Sequence, residues 1–206
     1  MRSVLAILAI PALALSSPLA AQMQIPKDAP GKPDPARVVA GTYALDSSHT
    51  LISWAVSHFE ISDFFGLFSG VTGSLTIDPA NASKDSVSIE VPISGLNTTN
   101  PKLTEHLNTK DYFDSAQFPA AKFVSTKVVT KGMTARIFGN LTMHGVTKPV
   151  VLDAKFVGAG TNFFSNKLNI GFSATTSFKR SDFGMTTFIP HVSDLVKLTI
   201  SAAFEK

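Results

Sequence analysis

From residue 52 onward the chain alternates apolar and polar positions with a period of two. Ile52, Trp54, Val56 and His58 share one face, with Ser53 and Ser57 opposite, and Val71, Gly73, Leu75 and Ile77 stand against Thr72, Ser74 and Thr76. Val87, Ile89, Val91 and Ile93 continue the pattern, followed by Met133, Ala135, Ile137 and Leu141, and by Val150, Leu152, Ala154 and Phe156. The clearest case is the last: Val196, Leu198, Ile200, Ala202 and Phe204 against Lys197, Thr199, Ser201 and Glu205. Successive side chains of a strand point to opposite faces, so this alternation marks antiparallel strands with one wet and one covered face. Residues 121–130 and 168–179 fit two further strands with less clean faces. That makes eight, with Ile52, Leu75, Ile89, Leu152 and Ile200 expected inside.

Two segments depart from the pattern. Asn100 or Thr99 can cap a short helix over Pro101–Leu107, with Pro101 in its first turn and Leu103 and Leu107 four apart. Residues 59–68, with Phe59, Ile61, Phe64, Phe65, Leu67 and Phe68, do not alternate cleanly and stand where a polar turn is expected. An apolar connection either folds back on the core or lines an opening. Eight antiparallel strands with one helical insertion build a sandwich or a closed barrel. The interior of an eight-stranded barrel is either filled by side chains or encloses one small ligand.

The N-terminus adds a compartment. Arg2, an apolar run over 4–15 broken by Pro11, and small residues up to Ala20 and Ala21 read as a signal peptide over residues 1–21. Residues 22–40, with Pro26, Pro30, Pro33 and Pro35, read as an extended, poorly ordered leader, and residues 41–206 as one barrel domain. The expected product is a periplasmic protein with no stable membrane insertion. The absence of cysteine removes both disulfides and a lipoprotein anchor, so the core must hold the fold. The net charge of +3 falls by one with Arg2, and no basic run remains to attract nucleic acid.

Candidate chemistry is sparse. His49, His58, His106, His144 and His191 stand in no metal-ligand spacing. There is no nucleophile elbow, phosphate-binding loop or dinucleotide fingerprint, so no enzyme class, cofactor or metal is called for. Polar residues on apolar faces are more informative. His58 ends the face of Ile52, Trp54 and Val56, while Phe172, Ala174, Thr176, Phe178, Arg180 and Asp182 share one parity. A buried charge needs a partner, so Arg180 and Asp182 are expected to pair with each other or with neighbours. They would either plug one barrel end or meet the oxygen-bearing head of an apolar ligand.

Taken in order, the motifs resemble the YceI-like family of periplasmic polyisoprenoid-binding proteins, from about Tyr43 to Glu205. The carriers of the resemblance are Tyr43, Asp46 and His49; Ile52, Trp54, Val56 and His58; Gly66, Phe68, Gly73 and Leu75; and His106, Leu107, Asp111, Phe113, Asp114, Phe118 and Pro119. Further on stand Gly139 to Thr142, His144 to Val150, Arg180 to Gly184, and Asp194 with Val196. Thr104 and Glu105 replace the family's usual Arg-Asp pair, Trp54 stands where Phe is usual, and Met143-His144 replaces a smaller pair.

The resemblance implies a lipocalin-like barrel that encloses an isoprenoid quinone or similar long-chain lipid, and it admits a homodimer. Residues expected to line the ligand space are Ile52, Trp54, Val56, His58, Phe64, Phe68, Leu75, Phe172, Phe178, Arg180 and Asp182. Two other readings stay open: an enzyme acting on a lipid or quinone head group through His58, Arg180 and Asp182, and a solidly packed module that binds a partner protein.

Overall fold

Residues 25–206 are described by the computed structural model, so the expected signal peptide lies outside the described residues. The described residues form eleven strands, the eight segments expected and three more: β1 (Gly41–Leu45), β2 (Leu51–His58), β3 (Ser62–Phe68), β4 (Thr72–Ile77), β5 (Ser86–Pro92), β6 (Leu96–Asn97), β7 (Ala120–Lys131), β8 (Thr134–Met143), β9 (Val146–Thr161), β10 (Leu168–Lys179) and β11 (Leu195–Glu205), where β1, β3 and β6 were not expected. All eleven pair antiparallel in one sheet, ordered β1-β4-β5-β7-β8-β9-β10-β11-β2-β3-β6, and β1 also pairs with β11, which closes the first eight into a ring. This ring is the expected eight-stranded barrel.

The three extra strands are continuations. β1 and β2 share the edge of β11, β1 at Leu45↔Phe204 and β2 from Lys197↔Ala55 to Ser201↔Leu51. β3 continues into β4, and β5 into β6, so three long strands are each broken by a kink. At the first kink the Thr50 hydroxyl accepts from the Ala203 amide at 3.1 Å and the Asp46 amide donates to the Ala203 carbonyl at 2.8 Å. These bonds replace the missing rungs of the ladder, which explains a threonine only 1% exposed. The kinks also lean on each other: Ser47 Oγ donates to the Val71 carbonyl at 2.7 Å, and the Ser69 amide to the Gly95 carbonyl at 3.0 Å. A side chain at residue 95 would meet the Ser69 carbonyl oxygen at 2.0 Å, so this approach requires glycine.

The inward faces are those expected from alternation. Ile52 is buried, and Leu75, Ile89, Leu152 and Ile200 pack against the core, while Thr72 and Ser88 are exposed. The helix α1 (Pro101–Leu107) starts where expected, with the Asn100 side chain accepting from the amides of Lys102 at 3.2 Å and Leu103 at 3.3 Å.

Part of the segment expected as a leader bonds to the barrel. Lys32 exchanges backbone bonds of 3.0 Å with Ala159 on β9, and Arg37 Nη1 donates to the carbonyls of Pro30 at 2.8 Å and Ala159 at 3.0 Å. Lys32 thus bridges to β9 beyond its last rung with β8, and Val38 packs against the core. Proline removes donors, but the lysine amide and carbonyl between Gly31 and Pro33 remain free to pair.

Candidate functional site

The barrel interior is divided along its axis. Toward the Gly41, Thr161 and Glu205 end it is filled by side chains. Phe172 lies edge-on to Phe156 at 5.7 Å and to Phe204 at 6.2 Å, beside the fully buried Tyr43 and Ile170. Toward the other end lies a cavity of about 440 Å³. Its walls carry Ile52, Trp54, Val56, Phe64 and Phe68 from the β2–β3 hairpin, and Phe178, Val196 and Leu198 from β10 and β11. Val91, Ile93, Ala121, Leu141 and Met143 complete the wall, and Leu103 and Leu107 of α1, with Phe113 just beyond, cover its side.

This arrangement sorts the expected ligand-lining residues. Ile52, Trp54, Val56, His58, Phe64, Phe68, Phe178 and Arg180 all border the cavity. Leu75 and Phe172 face inward but belong to the packed half, so their expected contact with the cavity is not there. Asp182 is exposed and forms no ion pair with Arg180 among the described residues. The reason is local: β10 ends at Lys179, and residues 180–183 form a 3-10 turn. With three residues per turn, Arg180 and Phe183 share a side, whereas strand parity had paired Arg180 with Asp182. Arg180 and Phe183 are accordingly 5% and 0% exposed.

Arg180 takes its partners from the main chain. Nε donates to the Ser193 carbonyl at 3.0 Å, Nη1 to Met185 at 3.1 Å and Nη2 to Val192 at 2.9 Å. A guanidinium has five N–H donors, so among the described residues two remain uncommitted. Burial pulls its pKa below the usual range, with Tyr112 and Asp194 opposing, yet an arginine stays charged near neutrality. Tyr112 also borders the cavity, its hydroxyl pushed up by burial with Arg180 opposing, and it has no hydrogen-bond partner among the described residues. A positive group and a free hydroxyl thus stand together on an otherwise apolar wall. That pair suits an oxygen acceptor on a ligand.

At the mouth, His58 and His106 supply the remaining polar groups, and Phe59 and Phe188 border both cavity and solvent. The β2–β3 turn places Phe59 and Glu60 both at φ 55°, and Phe188 sits at φ 62°. Two successive positive φ values define the tight hairpin turn that favours Asn-Gly, so a bulky Phe there costs on the order of 1–3 kcal/mol. Within residues 59–68 both readings are met: Phe59 lines the opening, while Phe64 and Phe68 of β3, which follows the turn, fold back on the core and also border the cavity. Phe64, Gly66 and Phe68 face in while Phe65 and Leu67 face out. Gly66 is needed because a side chain there would meet the Trp54 indole at 2.2 Å. Trp54 Nε1 is buried without a hydrogen-bond partner among the described residues.

Several lining residues carried no signal that alternation could read. Leu103 and Leu107 are four apart on a helix, which could have flagged a lid. Met185, Phe188 and Val192 lie in an irregular loop without period.

Comparison with known proteins agrees with this architecture. A family model described as the YceI-like domain matches residues 43–204. The protein YceI of Salmonella newport is 35% identical over 165 residues, covering 79% of this chain and 86% of that protein. The crystal structure of Campylobacter jejuni YceI is 30% identical with a TM-score of 0.63, covering 73% of this chain and 89% of the other. Burkholderia cenocepacia BcnA shares the fold at TM-score 0.70 and 21% identity, over 77% of this chain and 98% of its own. A polyisoprenoid binding domain from Saccharophagus degradans shares it at 0.61 and 15% identity, over 79% and 97%. With most of its barrel matched by the family model and by relatives of this similarity, the chain belongs to the YceI-like family.

Proposed function

We propose that the protein binds one long apolar lipid of the isoprenoid type in the cavity and serves as a periplasmic carrier or reservoir for it. The observation that carries this reading is a cavity of about 440 Å³ whose lining is apolar apart from Arg180, Tyr112, the indole of Trp54 and the histidines of the mouth. That volume lies within the 300–1,000 Å³ usual for ligand pockets. A dry cavity of about 150 Å³ accepts benzene, so this one takes roughly eighteen carbons, or about three to four isoprene units. At about 0.8 kcal/mol per buried CH₂, such a tail outweighs much or all of an association cost of roughly 4–15 kcal/mol. The oxygen-bearing head would lie against Arg180 and Tyr112. Support also comes from the structural neighbour described as a polyisoprenoid binding domain.

The head-group enzyme has less to rest on, because Asp182 is exposed and the Arg180 side chain is already held by three carbonyls. Organic extraction of freshly purified protein followed by mass spectrometry tests the carrier reading, with about one isoprenoid lipid per chain expected. Recovery of no lipid from folded protein, together with failure to load an added one, would overturn it. Phe178→Asp sets an unpaired carboxylate against the tail. It is expected to abolish retained lipid while thermal melting still reports a folded barrel.

A further inference from the structure

The mouth of the cavity carries more apolar surface than a closed pocket needs. Phe59 is 49% exposed, Phe188 57% and Ile61 85%, and all three occupy two turns that are tied together. His58 bridges to Val192, the Phe59 amide donates to the His191 carbonyl at 2.6 Å, and the Phe59 ring lies 5.5 Å from that of His191. The Val192 amide in turn donates to the Phe188 carbonyl at 2.8 Å. Phe59 and Phe188 both sit at positive φ, where bulky side chains are rare. Two strained backbones that each push an aromatic ring to the rim point to selection for what the rings meet.

We propose that Phe59, Ile61 and Phe188 form a lip that docks on the surface of a zwitterionic lipid bilayer, so that a tail passes into the cavity without crossing water. The inference rests on the lipid-carrier reading and extends it to the donor or acceptor surface. The occupant follows from continuity. Phe59 and Phe188 are at once cavity wall and rim, and Ile61 extends the same apolar surface outward. A tail longer than the cavity must leave through this rim, and a bilayer interface offers an apolar path for it. The charged side chains of the lip segment are Glu60 and Asp63, which disfavour an anionic surface. Three apolar side chains give weak, reversible contact, as a carrier requires.

Ile61 allows a clean test because it does not border the cavity. Energy transfer from Trp54, the single tryptophan, to dansyl-phosphatidylethanolamine in phosphatidylcholine vesicles reads docking. Ile61→Glu is expected to weaken it roughly tenfold or more, because the burial of one large side chain is lost. The same variant should keep its extracted lipid, which separates loss of docking from loss of the carrier function. Phe164→Glu alters an aromatic 64% exposed in the β9–β10 loop at the packed end, and should dock like the parent chain. Adding phosphatidylglycerol should lower docking. The proposal is overturned if the parent does not dock, if Ile61→Glu docks equally well, if Phe164→Glu loses as much, or if anionic lipid raises docking.

Discussion

The two halves of this barrel use the same strands and the same alternation, yet one is solid and the other hollow. At the packed end Phe156, Phe172 and Phe204 interlock edge to face, and Tyr43 fills the remaining axis with its hydroxyl bonded to the Val39 carbonyl. At the hollow end the ladder is incomplete, because β3 pairs with only two residues of β6. Past the kinks β2, β3 and β6 form a short ladder of their own on β11, and α1 and the loop after β10 border the cavity with single apolar side chains. A regular ladder keeps facing walls close enough for side chains to meet; a broken ladder bridged by a helix leaves space between them. The cavity therefore follows from where strand pairing stops, with no special lining chemistry needed.

The sharpest way to break this comparison is to truncate one aromatic ring in each half. Phe156→Ala, in the close-packed half, should cost about 3–5 kcal/mol, because the residue is buried and its neighbours cannot collapse. Phe64→Ala, on the cavity wall, should cost only about 1–2 kcal/mol, since one side of the ring already faces open space. Urea denaturation of the two variants reads the difference. Equal losses would mean that the hollow half packs as tightly as the solid one. In addition, Phe156→Ala should deepen the cavity and allow longer tails to be retained, which mass spectrometry of extracted lipid would show.

Next in size is Arg180→Ala. It deprives the carbonyls of Met185, Val192 and Ser193 of their donor, and destabilisation by about 3 kcal/mol is expected from unsatisfied groups alone. A readout specific to the hollow end is hydrogen exchange. Amides in the loop 184–194 should lose protection, while those of Ile170 and Phe204 at the packed end keep theirs. Uniform loss across both ends would show that Arg180 holds the whole barrel rather than its rim.

These contrasts also mark what the chain reveals before folding. The eight-stranded barrel, its inward faces and the Asn100-capped helix were legible because each rests on a local period or a local cap. Period two reports which face a residue takes but not its height along the barrel. That is why Phe172 and Leu75 have the expected orientation and yet lie in the packed half. β3 was hidden because both of its faces are apolar, with Phe64 and Phe68 within and Phe65 and Leu67 without, so no alternation shows. Asp182 was misplaced by a change of period at Lys179, from two to three, that no breaker residue announces. The cavity itself depends on long-range pairing between β3, β6 and α1, which no window of sequence contains.

The smallest effect expected is electrostatic, and it has opposite signs at the two ends. At the hollow end burial raises the pKa of Asp194, but the Ser181 amide and hydroxyl, at 2.9 Å and 2.8 Å, with Lys179 and Arg180 nearby, bring it below the usual 3.8. A lowered folded value means that the unfolded chain binds the proton more readily. Its contribution is therefore present above about pH 3.8 and is lost as pH falls through the folded value. At the packed end burial raises Asp85 above 3.8, with Asp78 adding repulsion and its own amide, bonded at 2.8 Å, only partly opposing. That contribution is present below 3.8 and is lost as pH rises through the raised value. Asp194→Asn should thus lower the urea midpoint near neutrality and reduce its acid sensitivity. Asp85→Asn keeps an acceptor for the Asp78 amide, so it should raise the midpoint near neutrality and leave it little changed in acid. Midpoints measured on either side of pH 3.8 decide the matter. If both variants shift in the same direction near neutrality, the two carboxylates do not differ as their surroundings require.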